Sequence, residues 1–458
     1  MSNTDQDFGL DATYIKQAMK DWDVPGLSIA VVKDGQVVFA DGFGLLKKGD
    51  GRPVNRRSIF TIGSCTKAFT TVAMAILARE KKISFDDPVQ KYVPEFSLAD
   101  AAVGRALTIK DVVTHQSGVE DGAITNLPSR TLQEAMRHVA GLQATRPHRG
   151  GFSYNNTLLA VLALVVEKVS GMSWEDFLQS RILRPLGMKD SFGSVKASAR
   201  RRNRAVPHHM PRNRKRPAIM KVKSLDYLAS SAALQSSIDD MANWLKFQLG
   251  TIGREILDKS DLDEMHREHL QVEPNAFTLM MHPGSTRHGY GMTWFVRDYG
   301  GAHLVQHGGY VDGFTSFCVM GPAQGFGVVV LTNMHNSLLP FALAYRVIDA
   351  YLAQPQVDWS AYFLQKRADH RNKVSPHNEE NEALQRLEEE EALKACLASE
   401  GGDLETCRAK TRRRKPGKPG RSRKPGQNGK TKKPGRKSKT RKPGRGPKTR
   451  SAGKRRQS

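Results

Sequence analysis

The sequence predicts an α/β (α+β) fold: an antiparallel sheet built from both ends of the chain, flanked by helices, with a mainly helical lobe inserted. Three observations lead there. Short apolar runs with strand character stand near residue 30 and again between residues 303 and 332. Between them, apolar residues recur at helical spacing. Strands grouped apart from a block of helices describe segregated layers, not an alternating α/β chain.

Residues 27–32 and 37–40 flank Lys33-Asp34-Gly35-Gln36, and Asp-Gly between two apolar runs reads as a hairpin turn. After Ser64, the residues Ala68, Phe69, Val72, Ala73, Ile76 and Leu77 mark a long helix. Residues 107–113 and 157–169 read as further buried helices, the second closed by Gly171. Residues 303–306, 314–320 and 326–332 are apolar, bounded by glycines, and read as strands. A cleft between the sheet and the helical lobe is the natural place for a site.

The net charge of +25 belongs to one end of the chain. Residues 411–458 hold 22 of the 71 Lys and Arg and no Asp or Glu, so 49 basic and 46 acidic residues leave residues 1–410 at +3. The chain thus divides into a folded domain over 1–374, an acidic helical linker over 375–410 and a basic tail over 411–458. The linker includes Glu388-Glu389-Glu390-Glu391. Nine-residue repeats start at Arg423, Lys432 and Arg441; each opens on a basic residue and Lys-Pro-Gly and ends in Lys-Thr. Dense Pro and Gly with nothing apolar to bury predicts disorder. A flexible run of 22 positive charges predicts a polyanion partner, nucleic acid or acidic polymer, bound through counterion release. No aromatic residue interleaves the tail, so stacking on bases is not expected. The plainer readings are a solubilising extension, or one that folds back on the acidic linker. Arg200-Arg201-Arg202-Asn203-Arg204 and Arg212-Asn213-Arg214-Lys215-Arg216 form another basic run, read as a solvated surface loop.

Four cysteines, Cys65, Cys318, Cys396 and Cys407, make no disulfide framework. All four are expected as free thiols, although Cys396 and Cys407 stand close enough to pair. The first seven residues are polar and acidic, without the basic and apolar regions of a secretory signal. The most apolar stretch, 158–166, is too short to span a bilayer. The expectation is a soluble chain, cytoplasmic or nuclear, with export by another route left open. His208-His209 has no acidic or cysteine residue near it at ligand spacing, so no metal and no cofactor is assigned.

Three short patterns carry chemistry. In Thr61-Ile62-Gly63-Ser64-Cys65-Thr66-Lys67, one helical turn separates Ser64 from Lys67, so the amine reaches the hydroxyl. The helix start also leaves backbone N–H groups free for a developing negative charge. The pair reads equally as a helix cap and a solvated lysine, and Ser451-Ala452-Gly453-Lys454 repeats the spacing in the tail. Tyr154-Asn155-Asn156 is the chain's one Tyr-x-Asn. A tyrosine whose pKa a neighbouring ammonium lowers can act as a general base, and Asn156 can donate to a substrate carbonyl; otherwise Tyr154 is a loop residue before a helix capped by Asn156. Of three His-x-Gly triplets, at His148, His282 and His307, His307-Gly308-Gly309 alone follows a strand pattern and leads through a Gly-rich turn to another. Its glycines would let a substrate lie against the strand edge.

Together these elements resemble the serine beta-lactamase-related superfamily of class C beta-lactamases, D-aminopeptidases and beta-lactamase-like esterases. The order Ser-x-x-Lys, Tyr-x-Asn, His-x-Gly matches, and so do Val24-Pro25-Gly26, Thr114-His115-Gln116-Ser117-Gly118, Leu183-Arg184-Pro185-Leu186-Gly187-Met188 and Gly289-Tyr290-Gly291. The resemblance spans residues 10–370. It implies a two-lobed serine hydrolase domain with the site between the lobes. Ser64 would be the acylated nucleophile, Lys67 its proton acceptor or electrostatic partner, and Tyr154 a second acid/base group. Asn156, His307 and Gly309 would contact substrate, and the N–H groups of Ser64 and Tyr310 would form an oxyanion hole. His307-Gly308 stands where true lactamases carry Lys-Thr, which help hold a substrate carboxylate. That points away from beta-lactams and toward esters, amides or D-amino-acid peptides. Cys65 inside the motif reads as packing. The alternative is a non-catalytic binding or matrix protein that reuses this fold, with its function in the tail.

Overall fold

The structure, a computed structural model, describes residues 9–121, 131–211, 216–221 and 225–369. The acidic linker, the basic tail, Cys396, Cys407 and residues 212–215 of the second basic run lie outside the described residues.

Strands β1 (Gly26–Lys33) and β2 (Gln36–Gly44) form the expected hairpin. Asp34 and Gly35 take φ of +49° and +75°, as a two-residue type I′ turn requires. Six more strands come from the C-terminal third: β3 (Leu270–Gln271), β4 (Arg287–Tyr290), β5 (Phe295–Tyr299), β6 (Ala302–Val311), β7 (Phe314–Gly321) and β8 (Phe326–Thr332). They make one antiparallel sheet in the order β2-β1-β8-β7-β6-β5-β4-β3. Leu27 faces Thr332 and Lys33 faces Phe326, so the two ends of the domain meet mid-sheet, as the sequence predicts.

Five helices place the site: α1 (Ala12–Asp21), α2 (Thr66–Arg79), α3 (Asn156–Ser170), α4 (Ile238–Gln248) and α5 (Leu339–Tyr351). Successive strand residues point to opposite faces. Leu27, Ile29 and Val31 therefore join one core with α1 and α5, while Ala30 and Val32 join another with α2, α3 and α4. Phe317 and Val319 divide from Cys318 and Met320 in the same way. With both faces covered, these strands read as continuous apolar runs, not alternating ones.

The lobe opposite the sheet is helical, and α2 runs through its middle. Every residue from Thr66 to Leu77 is buried, so this stretch has no solvent-exposed face. Phe69 stacks on Trp244 of α4 with ring centroids 3.5 Å apart. The buried threonines are satisfied across the interface: Thr70 Oγ1 donates to Ser230 O at 2.6 Å, and Thr71 Oγ1 meets Thr293 Oγ1 at 2.9 Å.

Two local expectations change. The cap of α3 is Asn155, whose Oδ1 accepts from Leu158 N at 2.8 Å, not Asn156, which is already helical; Gly171, at φ +72°, closes the far end. And β6 does not end at Gln306. His307, Gly308 and Gly309 continue it, paired with Cys318, Phe317 and Ser316 of β7, and the turn falls at Asp312-Gly313 instead. The other two His-x-Gly triplets are structural. His148 and Arg149 bind the buried carboxylate of Asp111, and buried His282 meets the Tyr345 hydroxyl at 2.9 Å. Both ring nitrogens of His208 lie on backbone, at Asn333 O and Lys48 N. Arg200, Arg201 and Arg202 are exposed, as expected, while Arg204 is half-buried. Among the described residues no single helix is long and apolar enough to cross a membrane.

Candidate active site

The chain enters α2 through one turn of 3₁₀ helix, Gly63–Cys65, with Ser64 at its centre. That turn is pressed against β6 and β7. Gly63 takes φ +55°, and a Cβ there would stand 2.9 Å from Tyr310 N. A Cβ on Gly309 would overlap Ile62 O and Ser316 Oγ. Ser316 Oγ donates to Ile62 O at 2.8 Å, and the Cys65 thiol to His307 O at 3.3 Å. Gly309 therefore serves close approach of the Ser64 turn, a different job from the substrate-side clearance expected of it. Cys65 is buried packing, its thiol pushed up to about 11 by burial.

Lys67 has 0% of its surface exposed. Its Nζ reaches Ser64 Oγ at 3.1 Å, Asn156 Oδ1 at 2.8 Å and Ser231 O at 3.0 Å. Three acceptors use the three donors of an ammonium, but none carries a full charge. Burial accordingly pulls Lys67 from 10.5 down to about 7, opposed by the nearby carboxylate of Asp121. Burial thus makes this amine easier to deprotonate than a solvated lysine, and it is in hydrogen-bond contact with a serine hydroxyl.

Tyr154 is half-buried, its ring centroid 4.9 Å from Lys67 Nζ. Its hydroxyl bonds Ser64, which favours the phenolate, but burial is the larger influence and raises its pKa well above 10. The ammonium-lowered tyrosine expected from sequence is not what this site holds: Tyr154 is a proton donor at rest, and Lys67 is the group poised to accept. His307, 3% exposed, is pulled down to about 3, first by burial and then by Lys67. It is neutral, not partly charged, and its Nε2 is buried without a hydrogen-bond partner among the described residues.

The structure thus gathers Ser64, Lys67, Tyr154, Asn156, His307, Gly309 and Tyr310 around one turn. Reading the sequence missed three contributors. Asp121, 7% exposed, accepts from Asn156 N and Nδ2 and from Thr157 N. Ser231 offers only a carbonyl, which no side-chain pattern signals. His115 shapes the tyrosine loop: its O accepts from Ser153 N at 2.7 Å, its Nδ1 from Asn155 N at 3.2 Å. His115 lies in the Thr114–Gly118 stretch singled out above, and Asp121 follows it by three residues; their position is the only sequence signal either gives. Around them Phe152, Tyr154, Tyr290, Phe295 and His307 make ring contacts with centroids 4.7 to 6.4 Å apart.

Comparison with known proteins identifies the family and the fold. The family model described as Beta-lactamase matches residues 12–353. Protein flp of Staphylococcus aureus (strain MW2) is 28% identical over 338 residues, 72% of this chain, and the chain spans only 63% of flp's length. Unguisins hydrolase ungD' of Aspergillus campestris is 27% identical over 377 residues, covering 78% of this chain and 68% of that one. Among solved structures, the octameric penicillin-binding protein homologue from Pyrococcus abyssi superimposes with a TM-score of 0.67 at 27% identity, over 78% of this chain and 79% of its own. The class C beta lactamase from Rhodobacter sphaeroides shares the fold, with a TM-score of 0.60 at 21% identity over 76% of this chain and 99% of its own.

Proposed function

The chain belongs to the beta-lactamase family of serine hydrolases, and from that premise we propose that it cleaves an uncharged ester, an amide or a D-amino-acid peptide through an acyl-enzyme on Ser64. The observation that carries the reading is the 3.1 Å contact between Ser64 Oγ and a fully buried Lys67 held near pKa 7. Ser64 Oγ attacks the carbonyl carbon and its proton passes to Lys67. The oxyanion turns toward the N–H groups of Ser64 and Tyr310. The bond to the leaving group breaks as that group takes the Tyr154 proton, which Lys67 replaces. Water then attacks the acyl carbon, gives up a proton to the same pair, and Ser64 departs with its hydroxyl restored.

The neutral His307 and its aromatic neighbours favour a substrate without a carboxylate at the β6 edge. This is why the reading is esterase or D-amino-acid peptidase, with beta-lactams the poorer substrates. A fluorophosphonate probe is expected to label the wild type and not Ser64→Ala; labelling that persists in the variant defeats the assignment. Short-chain esters, D-amino-acid amides and a chromogenic cephalosporin, assayed on both proteins, decide the class.

The tail carries a separate proposal. With 22 positive and no negative charges, residues 411–458 bind polyanions, and retention on DNA or heparin is expected to fall with salt and with deletion of the tail. Equal retention without the tail rejects this.

A further inference from the structure

We propose that His307 reads the acyl part of the substrate through an unprotonated ring nitrogen: its Nε2 accepts a hydrogen bond from a neutral amide N–H next to the scissile carbonyl, which makes N-acylated amino-acid esters and peptides the substrate class. The inference rests on the reading of Ser64 as nucleophile.

Neighbouring atoms place the proton on the imidazole. Nδ1 stands 2.7 Å from Gly308 O. A carbonyl only accepts, so Nδ1 carries the hydrogen. A second proton, on Nε2, would leave an imidazolium with no partner for that proton among the described residues, in a side chain 3% exposed. Burying an unpaired charge is costly. The ring is therefore neutral and Nε2 is a lone pair, buried and without a donor among the described residues. Buried polar atoms are nearly always paired, and an unpaired acceptor beside a nucleophile marks a place for a ligand's donor.

His307 also points at the chemistry. Side chains two apart on a strand share a face. A Cβ on Gly309 would overlap Ile62 O, so the Ser64 turn lies against the same face of β6 that carries His307. The imidazole meets the rings of Tyr154 and Phe295 at centroid distances of 6.4 and 5.4 Å, and the Tyr154 hydroxyl bonds Ser64. Phe295 is half-buried and is the ring that turns aside as substrate enters.

The charge of the donor follows from the same rings. Lys67 Nζ is 4.9 Å from the centroid of Tyr154, and the Arg297 guanidinium is 5.6 Å from that of Phe295. Both rings already hold a cation, so a substrate ammonium would bring a third positive charge into one corner. A neutral N–H brings none. Of the classes proposed above, a plain ester has no donor beside its carbonyl and a free D-amino-acid amide offers an ammonium. An N-acylated residue offers the neutral N–H.

The test compares p-nitrophenyl N-acetylglycinate, its N-methyl analogue, and the levulinate ester, in which CH₂ replaces N–H; Ser64→Ala gives the background rate. Wild type is expected to favour N-acetylglycinate over both by at least about tenfold in kcat/KM, because the analogues leave a buried acceptor unpaired. His307→Phe removes the acceptor at similar size, and the three values converge to within about twofold. In His307→Gln the side-chain oxygen can accept from about the same reach, and part of the preference returns. The proposal is overturned by a wild-type preference below about twofold, by a preference that survives His307→Phe, or by a wild type that a fluorophosphonate labels but that turns over none of the three esters. Should His307→Phe not fold, His307→Leu takes its place, and the wild-type comparison needs neither. A wild type that is not labelled, or a Ser64→Ala that is, removes the hydrolase reading and this inference with it.

Discussion

The amide nitrogen of Tyr310 lies so close to Gly63 that a methyl group on that glycine would stand 2.9 Å from it. Two segments far apart in sequence thus touch where the oxyanion is proposed to sit. Gly63→Ala adds this contact to a backbone at φ +55°. It is expected to cost about 1–3 kcal/mol and to slow fluorophosphonate labelling at least tenfold. Denaturant unfolding and labelling kinetics check the two parts; wild-type values in both reject the close approach.

Lys67 predicts a pH dependence of stability with a definite sign. Its pKa is depressed from 10.5 to about 7 in the fold. Between those values the unfolded chain binds a proton that the folded chain has released, so stability rises with pH. The penalty is full below about pH 7 and fades toward pH 10.5. Lys67→Met lacks this titration. The stability difference is expected to move in favour of the wild type by on the order of a few kcal/mol between pH 7 and pH 10. The variant forms no acyl-enzyme. Parallel unfolding curves at all pH values would show that Lys67 titrates normally.

His307→Lys restores the cation that a carboxylate-bearing substrate requires at the β6 edge. The ratio of cephalosporin to ester turnover is expected to rise about tenfold, equivalent to about 1.4 kcal/mol. Steady-state kinetics on both substrates decide it, and an unchanged ratio means that His307 does not face the acyl group.

Cys65, adjacent to Ser64, is expected to be inert. Burial holds its thiol near 11, and the thiolate is the reactive form. Iodoacetamide should modify it only after unfolding, and Cys65→Ala should keep labelling within about twofold. Rapid alkylation of the native protein with loss of labelling would make it part of the chemistry.

Five of the eight strands were legible because they are apolar runs beside glycine-containing turns at both ends of the domain; β3, β4 and β5 are short and mix polar with apolar residues, and they were not foreseen. The Asp34-Gly35 turn announced the first hairpin by its chemistry. Ser64, Lys67, Tyr154 and Asn156 stood out as patterns, and resemblance ordered them. What the sequence hid were relations across long separations. The side chains of Asn155 and Asn156 are the same, and only packing decides that the first caps α3 while the second faces Lys67. His307 looked like the start of a turn because glycines follow it, yet the strand continues through both, and Gly309 is the one that admits Ile62. Asp121 carries no motif of its own; burial and three donors make it part of the site.

The contact between Ser316 Oγ and Ile62 O joins residues 254 positions apart. During synthesis the helix that follows Ser64 leaves the ribosome long before the strands that clamp it exist. β1, too, waits for β8, its neighbour in the sheet. The nascent chain therefore carries Ser64 and Lys67 without their surrounding strands until translation has passed residue 332.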